Sequence, residues 1–135
     1  MTDLFQKIDF ISHAGLPLTW KIECDAISPD EWIALAHIIR EFEPRNWRYS
    51  VGIPRGGVAL GEALDKYSTN NSNDPVLIVD DVYTTGKSFK DFKNNFPNEE
   101  VLQWCVFARK PTENGVNALF TMPPKENNGN RTINK

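Results

Sequence analysis

An α/β fold built on a parallel sheet is what this sequence predicts, and three observations carry the prediction. Apolar runs of strand length, Tyr49 to Pro54, Pro75 to Asp80 and Val101 to Ala108, alternate with segments of helical periodicity, Val58 to Tyr67 and Lys87 to Phe96. The middle run contains Val76-Leu77-Ile78-Val79, continuously apolar as in a parallel strand covered on both faces. Turns bearing glycine follow the first two runs directly, at Arg55-Gly56-Gly57 and Thr84-Thr85-Gly86. Right-handed crossovers are expected to join the strands.

Taken in order, Leu16 to Ile22 has apolar residues at 16, 18, 20 and 22, a period of two that predicts a strand at the edge of the core. Ser28-Pro29-Asp30-Glu31 is a capping box with proline at the first helical position. The helix it starts carries Trp32, Leu35, Ala36, Ile39 and Phe42 as one apolar stripe and stops before Pro44. Val58 to Tyr67 places Ala59, Leu60, Ala63 and Leu64 at helical spacing, and the polar run Ser68 to Asp74 is a loop. In Lys87 to Phe96 the residues Phe89, Phe92 and Phe96 share one side. After Pro123-Pro124 comes a polar stretch, Lys125 to Lys135, with asparagine at 127, 128, 130 and 134 and almost nothing to bury.

With 135 residues the chain is expected to form one domain over 1–122, with 123–135 as a polar tail. Apolar residues make up 40% and charged residues 24%, so the chain has enough to bury and should fold. Its 15 Lys and Arg against 18 Asp and Glu give a net charge of −3, which excludes a general field attracting nucleic acid or an anionic membrane. Any phosphate site must therefore be local. Cys24 and Cys105 belong to no C-x-x-C or Cys/His cluster, so reduced thiols are expected rather than zinc or disulfides. No apolar stretch approaches the ~18 residues of a membrane span, and Met1-Thr2-Asp3-Leu4 lacks a basic leader. A soluble, cytoplasmic protein is the expectation.

Two loops can carry chemistry, each at the carboxyl end of a strand, where parallel sheets bind ligands. In Gly52-Ile53-Pro54-Arg55-Gly56-Gly57 the glycines let backbone N–H groups approach an anion, and Arg55 adds a fixed charge. A plain tight turn explains the same glycines. In Val79-Asp80-Asp81-Val82-Tyr83-Thr84-Thr85-Gly86-Lys87-Ser88, adjacent carboxylates end a buried strand, a costly placement unless they meet donors or a cation. A sugar diol or Mg²⁺ would satisfy them. Thr84 to Ser88 offer hydroxyls and N–H groups at a helix start, a cradle for a phosphate dianion. A P-loop is excluded, since its pattern needs glycine where Asp81 stands.

These two loops, in this order, resemble the type I phosphoribosyltransferases. Val76 to Ser88 is similar to the family's signature of an apolar strand, two acidic residues and a Thr/Gly-rich loop, and Gly52 to Gly57 to its pyrophosphate loop. The resemblance implies a compact, Rossmann-like parallel-sheet fold and Mg²⁺-dependent transfer of ribose 5-phosphate from phosphoribosyl pyrophosphate (PRPP) to a nucleobase. It places Asp80 and Asp81 on the ribose hydroxyls as catalytic residues, and on Mg²⁺ held mainly through the ligand. Arg55, Gly56 and Gly57 would hold the pyrophosphate. Val82, Tyr83, Thr84, Thr85, Gly86, Lys87 and Ser88 would form the PRPP-binding loop, with the 5-phosphate at Thr84 to Ser88. A cis peptide, frequent in this loop of the family, would fall at Pro54–Arg55.

The chain also departs from the family. Only Asp65 to Pro75 separate Leu64 from Val76, too few for the long flexible loop that covers the site, so a shortened loop and a reduced hood are expected. The aspartate that serves 6-oxopurine members as a base is replaced by Thr84. Phe107-Ala108-Arg109-Lys110-Pro111 resembles a segment whose lysine reads the purine 6-oxo group, which would make Lys110 base-binding; a solvated lysine is the simpler alternative. The hood falls on Asn114 to Met122 or on the N-terminal segment. Two readings stay open, a transferase of nucleotide salvage and a catalytically silent PRPP or nucleotide binder with regulatory function. The truncated sheet edge near residues 65–75 makes a homodimer plausible.

Overall fold

The computed structural model describes residues 27–122 and, before them, the backbone of four two-residue strands. These are β1 (Phe5–Gln6), β2 (Phe10–Ile11), β3 (Pro17–Leu18) and β4 (Lys21–Ile22), with β1 pairing β4 and β2 pairing β3, both antiparallel. The single strand expected over Leu16 to Ile22 is therefore two short ones. β3 pairs β2 across residues 12–16 and β4 pairs β1 across residues 7–20, and local closure of this kind costs less entropy than joining a distant sheet. By contacts the chain divides into one unit of residues 29–122 and a second of 1–28 with 123–135. The tail expected at 123–135 lies outside the described residues.

Helix α1 (Pro29–Phe42) begins at the proline after Ser28, with Asp30 and Glu31 in its first turn and Arg40 in its last, as the helix dipole favours. Trp32, Ala36 and Ile39 form its buried stripe. Four parallel strands follow, β5 (Ser50–Gly52), β6 (Val76–Tyr83), β7 (Val101–Ala108) and β8 (Val116–Thr121), lying side by side in chain order. Helix α2 (Val58–Asp65) joins β5 to β6, and α3 (Lys87–Lys93) joins β6 to β7. Val76 to Val79 are all buried, as the apolar run required.

The helices cover opposite faces of the sheet. The Ser50 hydroxyl donates to the Gly61 carbonyl of α2 at 2.6 Å, and Ser50 is in register with Leu77. On that face the Trp104 indole donates to Glu43, just past α1, at 2.9 Å. Phe89 of α3 packs instead with Val76, Ile78 and Cys105. Since the sheet advances in one direction from β5 to β7, helices on opposite faces mean that the two crossovers have opposite hands. That corrects the expectation that both are right-handed. The reason lies after α2, where Thr69 and Asn70 donate N–H groups to the Trp47 and Arg48 carbonyls at 2.9 and 3.0 Å before the chain doubles back into β6.

The bounds of β5, which is shorter than the run Tyr49 to Pro54, of β6, α2 and α3, and one element differ from the sequence reading. β6 runs beyond Asp80 to Tyr83, because Val82 and Tyr83 keep parallel partners in Phe107 and Ala108. α2 ends at Asp65 and α3 at Lys93, and both finish in tighter turns: Ser68 N–H bonds to Asp65 O, and Phe96 N–H to Lys93 O. Residues 116–121, expected within a hood, are strand β8. Its start is a turn from Glu113 to Val116 with Asn114 at φ 58° and Gly115 at φ 80°, a dipeptide suited to two left-handed residues in succession.

Candidate active site

Both loops singled out in the sequence lie at the carboxyl edge of the sheet, and the fold brings them into contact. After β5, Ile53 N–H bonds to Val79 O at 2.8 Å and Gly57 N–H to Ile53 O at 2.9 Å, so the turn closes onto the end of β6. The Pro54–Arg55 peptide is cis, at the bond where the resemblance placed it. A β-carbon on Gly57 would lie 2.6 Å from Val79 O and 2.9 Å from Asp80 Cα, and one on Gly56 would overlap the Asp81 carboxylate. Only glycine lets this backbone sit on the acidic pair. Arg55 is exposed and has no side-chain partner among the described residues.

Asp80 is 8% exposed and in register with Cys105. Its Oδ1 accepts the Asp81 N–H at 2.8 Å, and Asp81 Oδ1 accepts the Val82 N–H at 2.7 Å. Burial, reinforced by the hydrogen bond and negative charge of Asp81, pushes the Asp80 carboxyl up to about 8. The Cys105 thiol is driven to about 12, mainly by burial and then by the two aspartates. Cys105 is inert on this account.

Thr84, Thr85, Lys87 and Ser88 are exposed in the next turn, around the half-buried Gly86 at φ 87°. Thr85 Oγ1 accepts the Lys87 N–H at 3.3 Å, while the N–H groups of Thr85, Gly86 and Ser88 have no acceptor among the described residues. Unsatisfied donors at a helix start suit an anion. The Lys87 ammonium turns along α3 to Asp91, which leaves its backbone as the part nearest the turn. Tyr83 is buried, with its ring 6.2 Å from that of Phe89.

Lys110 is exposed just past β7, on the same edge of the sheet. Phe120 of β8 is 46% exposed and stacks on the buried Phe107 with centroids 5.7 Å apart. The connection from Lys66 to Pro75 lies at the opposite, amino edge, tied to Trp47 and Arg48, so it does not reach the site. Gly61 escaped the sequence reading. A β-carbon there would meet Gly52 N at 2.5 Å, so this glycine is what lets α2 press against β5 under the loop. An isolated glycine inside a helical pattern was the available signal.

The fold is that of the type I phosphoribosyltransferases, as the likeness to their solved structures shows. Among solved structures, the chain is similar to the orotate phosphoribosyltransferase of Aeropyrum pernix, with a TM-score of 0.70 at 15% identity over 87% of this chain and 88% of that one. It is also similar to the orotate phosphoribosyltransferases of Francisella tularensis (TM-score 0.63, 15% identity, 87% and 80% covered) and Mycobacterium tuberculosis (0.61, 13%, 84% and 86%). No family model and no curated protein sequence matches the chain. Among the described residues no helix is long and apolar enough to cross a membrane.

Proposed function

We propose that this protein transfers ribose 5-phosphate from PRPP to a nucleobase, releasing pyrophosphate with Mg²⁺ as cofactor. The observation that carries the reading is the contact of Gly56 with the Asp81 carboxylate, which sets an anion loop beside a buried acidic pair. On this reading the Arg55–Gly57 backbone and the Arg55 guanidinium hold the pyrophosphate, Thr84 to Ser88 hold the 5-phosphate through backbone N–H groups, and Asp80 and Asp81 accept the ribose hydroxyls. Lys110 contacts the base, with Phe120 as an aromatic surface.

Mg²⁺ needs hard oxygen donors, which the acidic pair supplies. Among the described residues no three His, Cys, Asp or Glu side chains gather. Asp80 and Asp81 are too few for an all-protein cage, and a hard oxygen pair of this kind fits an ion carried mainly by phosphate oxygens. When bound there, Mg²⁺ offsets the charge of the leaving pyrophosphate. Asp81 stabilises the positive charge that develops on the ribose as its bond to pyrophosphate breaks, and Asp80, which holds its proton up to about 8 in the free protein, does so once that proton is released.

The tethering of Lys66–Pro75 at the far edge favours a second reading, a PRPP or nucleotide binder without turnover, since that segment supplies no cover against water. One assay separates the two. Incubation with PRPP, Mg²⁺ and each of orotate, uracil, adenine, guanine, hypoxanthine and xanthine is expected to release pyrophosphate with at least one base. Ligand binding without release selects the second reading, and no binding of PRPP at all overturns both. Self-association is part of the proposal, through the sheet edge near residues 65–75; a strictly monomeric sedimentation profile at high concentration removes it.

A further inference from the structure

Tyr83 holds the chain beyond β7 at two points. Its carbonyl accepts the Arg109 N–H at 2.9 Å, and its phenol oxygen accepts the Glu113 N–H at 3.2 Å. The segment between these bonds, Arg109-Lys110-Pro111-Thr112-Glu113, includes Lys110, and its last residue opens the turn that launches β8. The same ring is the floor of the next loop. A β-carbon on Gly86 would lie 2.7 Å from the Tyr83 oxygen and 3.1 Å from its Cε2 and Cζ, so the turn before α3 rests flat on the phenol. Because Tyr83 is 3% exposed and packed on Phe89, the ring is fixed rather than free to follow either loop.

We propose that Tyr83 is a positioning residue that clamps Arg109–Glu113, and with it Lys110, to the floor of the Thr84–Gly86 loop, so that one side chain sets the base side of the site against the phosphate side. The proposal rests on the transferase reading for the role of Lys110, but the clamp itself does not. A phenylalanine in place of Tyr83 keeps the ring and the carbonyl bond while removing the acceptor for Glu113. One terminus of the segment is then released, and under Gly86 the hydroxyl is lost while the ring carbons stay.

The test compares the wild-type protein with Tyr83→Phe and Glu113→Ala, the latter keeping the backbone N–H. Amide hydrogen exchange is read at residues 109–115, together with kcat and with KM for the base and for PRPP. In Tyr83→Phe, exchange at Glu113 is expected to speed up about tenfold and the base KM to rise about 3- to 10-fold, the effect of one lost hydrogen bond. The PRPP KM and kcat also report on the place of Tyr83 under the phosphate turn and are expected to move less than the base KM. Glu113→Ala is expected to match wild type in all of these. Unchanged exchange in Tyr83→Phe overturns the clamp, as does Glu113→Ala reproducing its effects. Faster exchange with an unchanged base KM overturns the role at the base. A wild-type protein that neither turns over nor binds any base refutes the transferase reading instead, and exchange at Glu113 then decides the clamp alone.

Discussion

Gly56 and Asp81 touch so closely that the glycine has no room for a side chain: a β-carbon would overlap the carboxylate oxygens. Gly57, one residue on, meets only backbone, at Val79 O, Ile53 N and Asp80 Cα. The two alanine substitutions should therefore separate binding from stability. Gly57→Ala is expected to cost about 1–3 kcal/mol in urea unfolding, because packed backbone cannot yield. Gly56→Ala pushes on a side chain that can rotate away; it should cost less than about 1 kcal/mol yet weaken PRPP binding by about tenfold in calorimetric titration.

Asp80 makes stability depend on pH. Its folded carboxyl holds a proton up to about 8, whereas in the unfolded chain it releases it near ~3.9. Between those values the folded state binds more protons, so this group's contribution to stability is full below ~4, falls as pH rises and is lost by about 8. An asparagine in its place has no proton to lose. The melting temperature of Asp80→Asn relative to wild type should thus climb between pH 5 and pH 8.5; a constant difference across that range would contradict the placement of Asp80.

The acidic pair should matter far more to ligand than to fold. Asp80→Asn combined with Asp81→Asn keeps side-chain oxygens able to accept the Asp81 and Val82 N–H groups. Circular dichroism is expected to remain native. PRPP affinity and turnover should fall by at least about 100-fold, since charge toward the ribose and the metal is gone; unchanged binding and turnover would remove the assignment.

Cys105, fully buried and pushed to about 12, should resist alkylation. In a Cys24→Ser background, iodoacetamide at pH 8 is expected to leave the native protein unmodified for hours and to label it within minutes in 6 M guanidinium. Rapid labelling of the native form would mean that β7 opens beside Asp80.

Much of the fold was legible because its signals are local. The capping box at Ser28–Glu31 starts α1 at Pro29, and four consecutive apolar residues mark the buried strand β6, whatever the rest of the chain does. Strand β8 was not read, although Asn114-Gly115 marks a turn at its start. Its sequence, Val-Asn-Ala-Leu-Phe-Thr, becomes a strand by pairing with β7, and only Val116 in it is fully buried.

What the sequence by itself determined is the chemistry on offer: two glycine-bearing loops after apolar strands, one with a cation and one with paired carboxylates, in a chain with no general affinity for anions. These follow from residue type and spacing. Only the tertiary structure decided that Gly56 rests on Asp81, that α2 and α3 cover opposite faces, and that Tyr83 reaches Glu113 across 30 residues of chain. Each of these depends on which strands lie side by side and in what register. That choice belongs to the whole sheet, because a strand's pairing surface is a row of backbone groups nearly identical from one residue to the next.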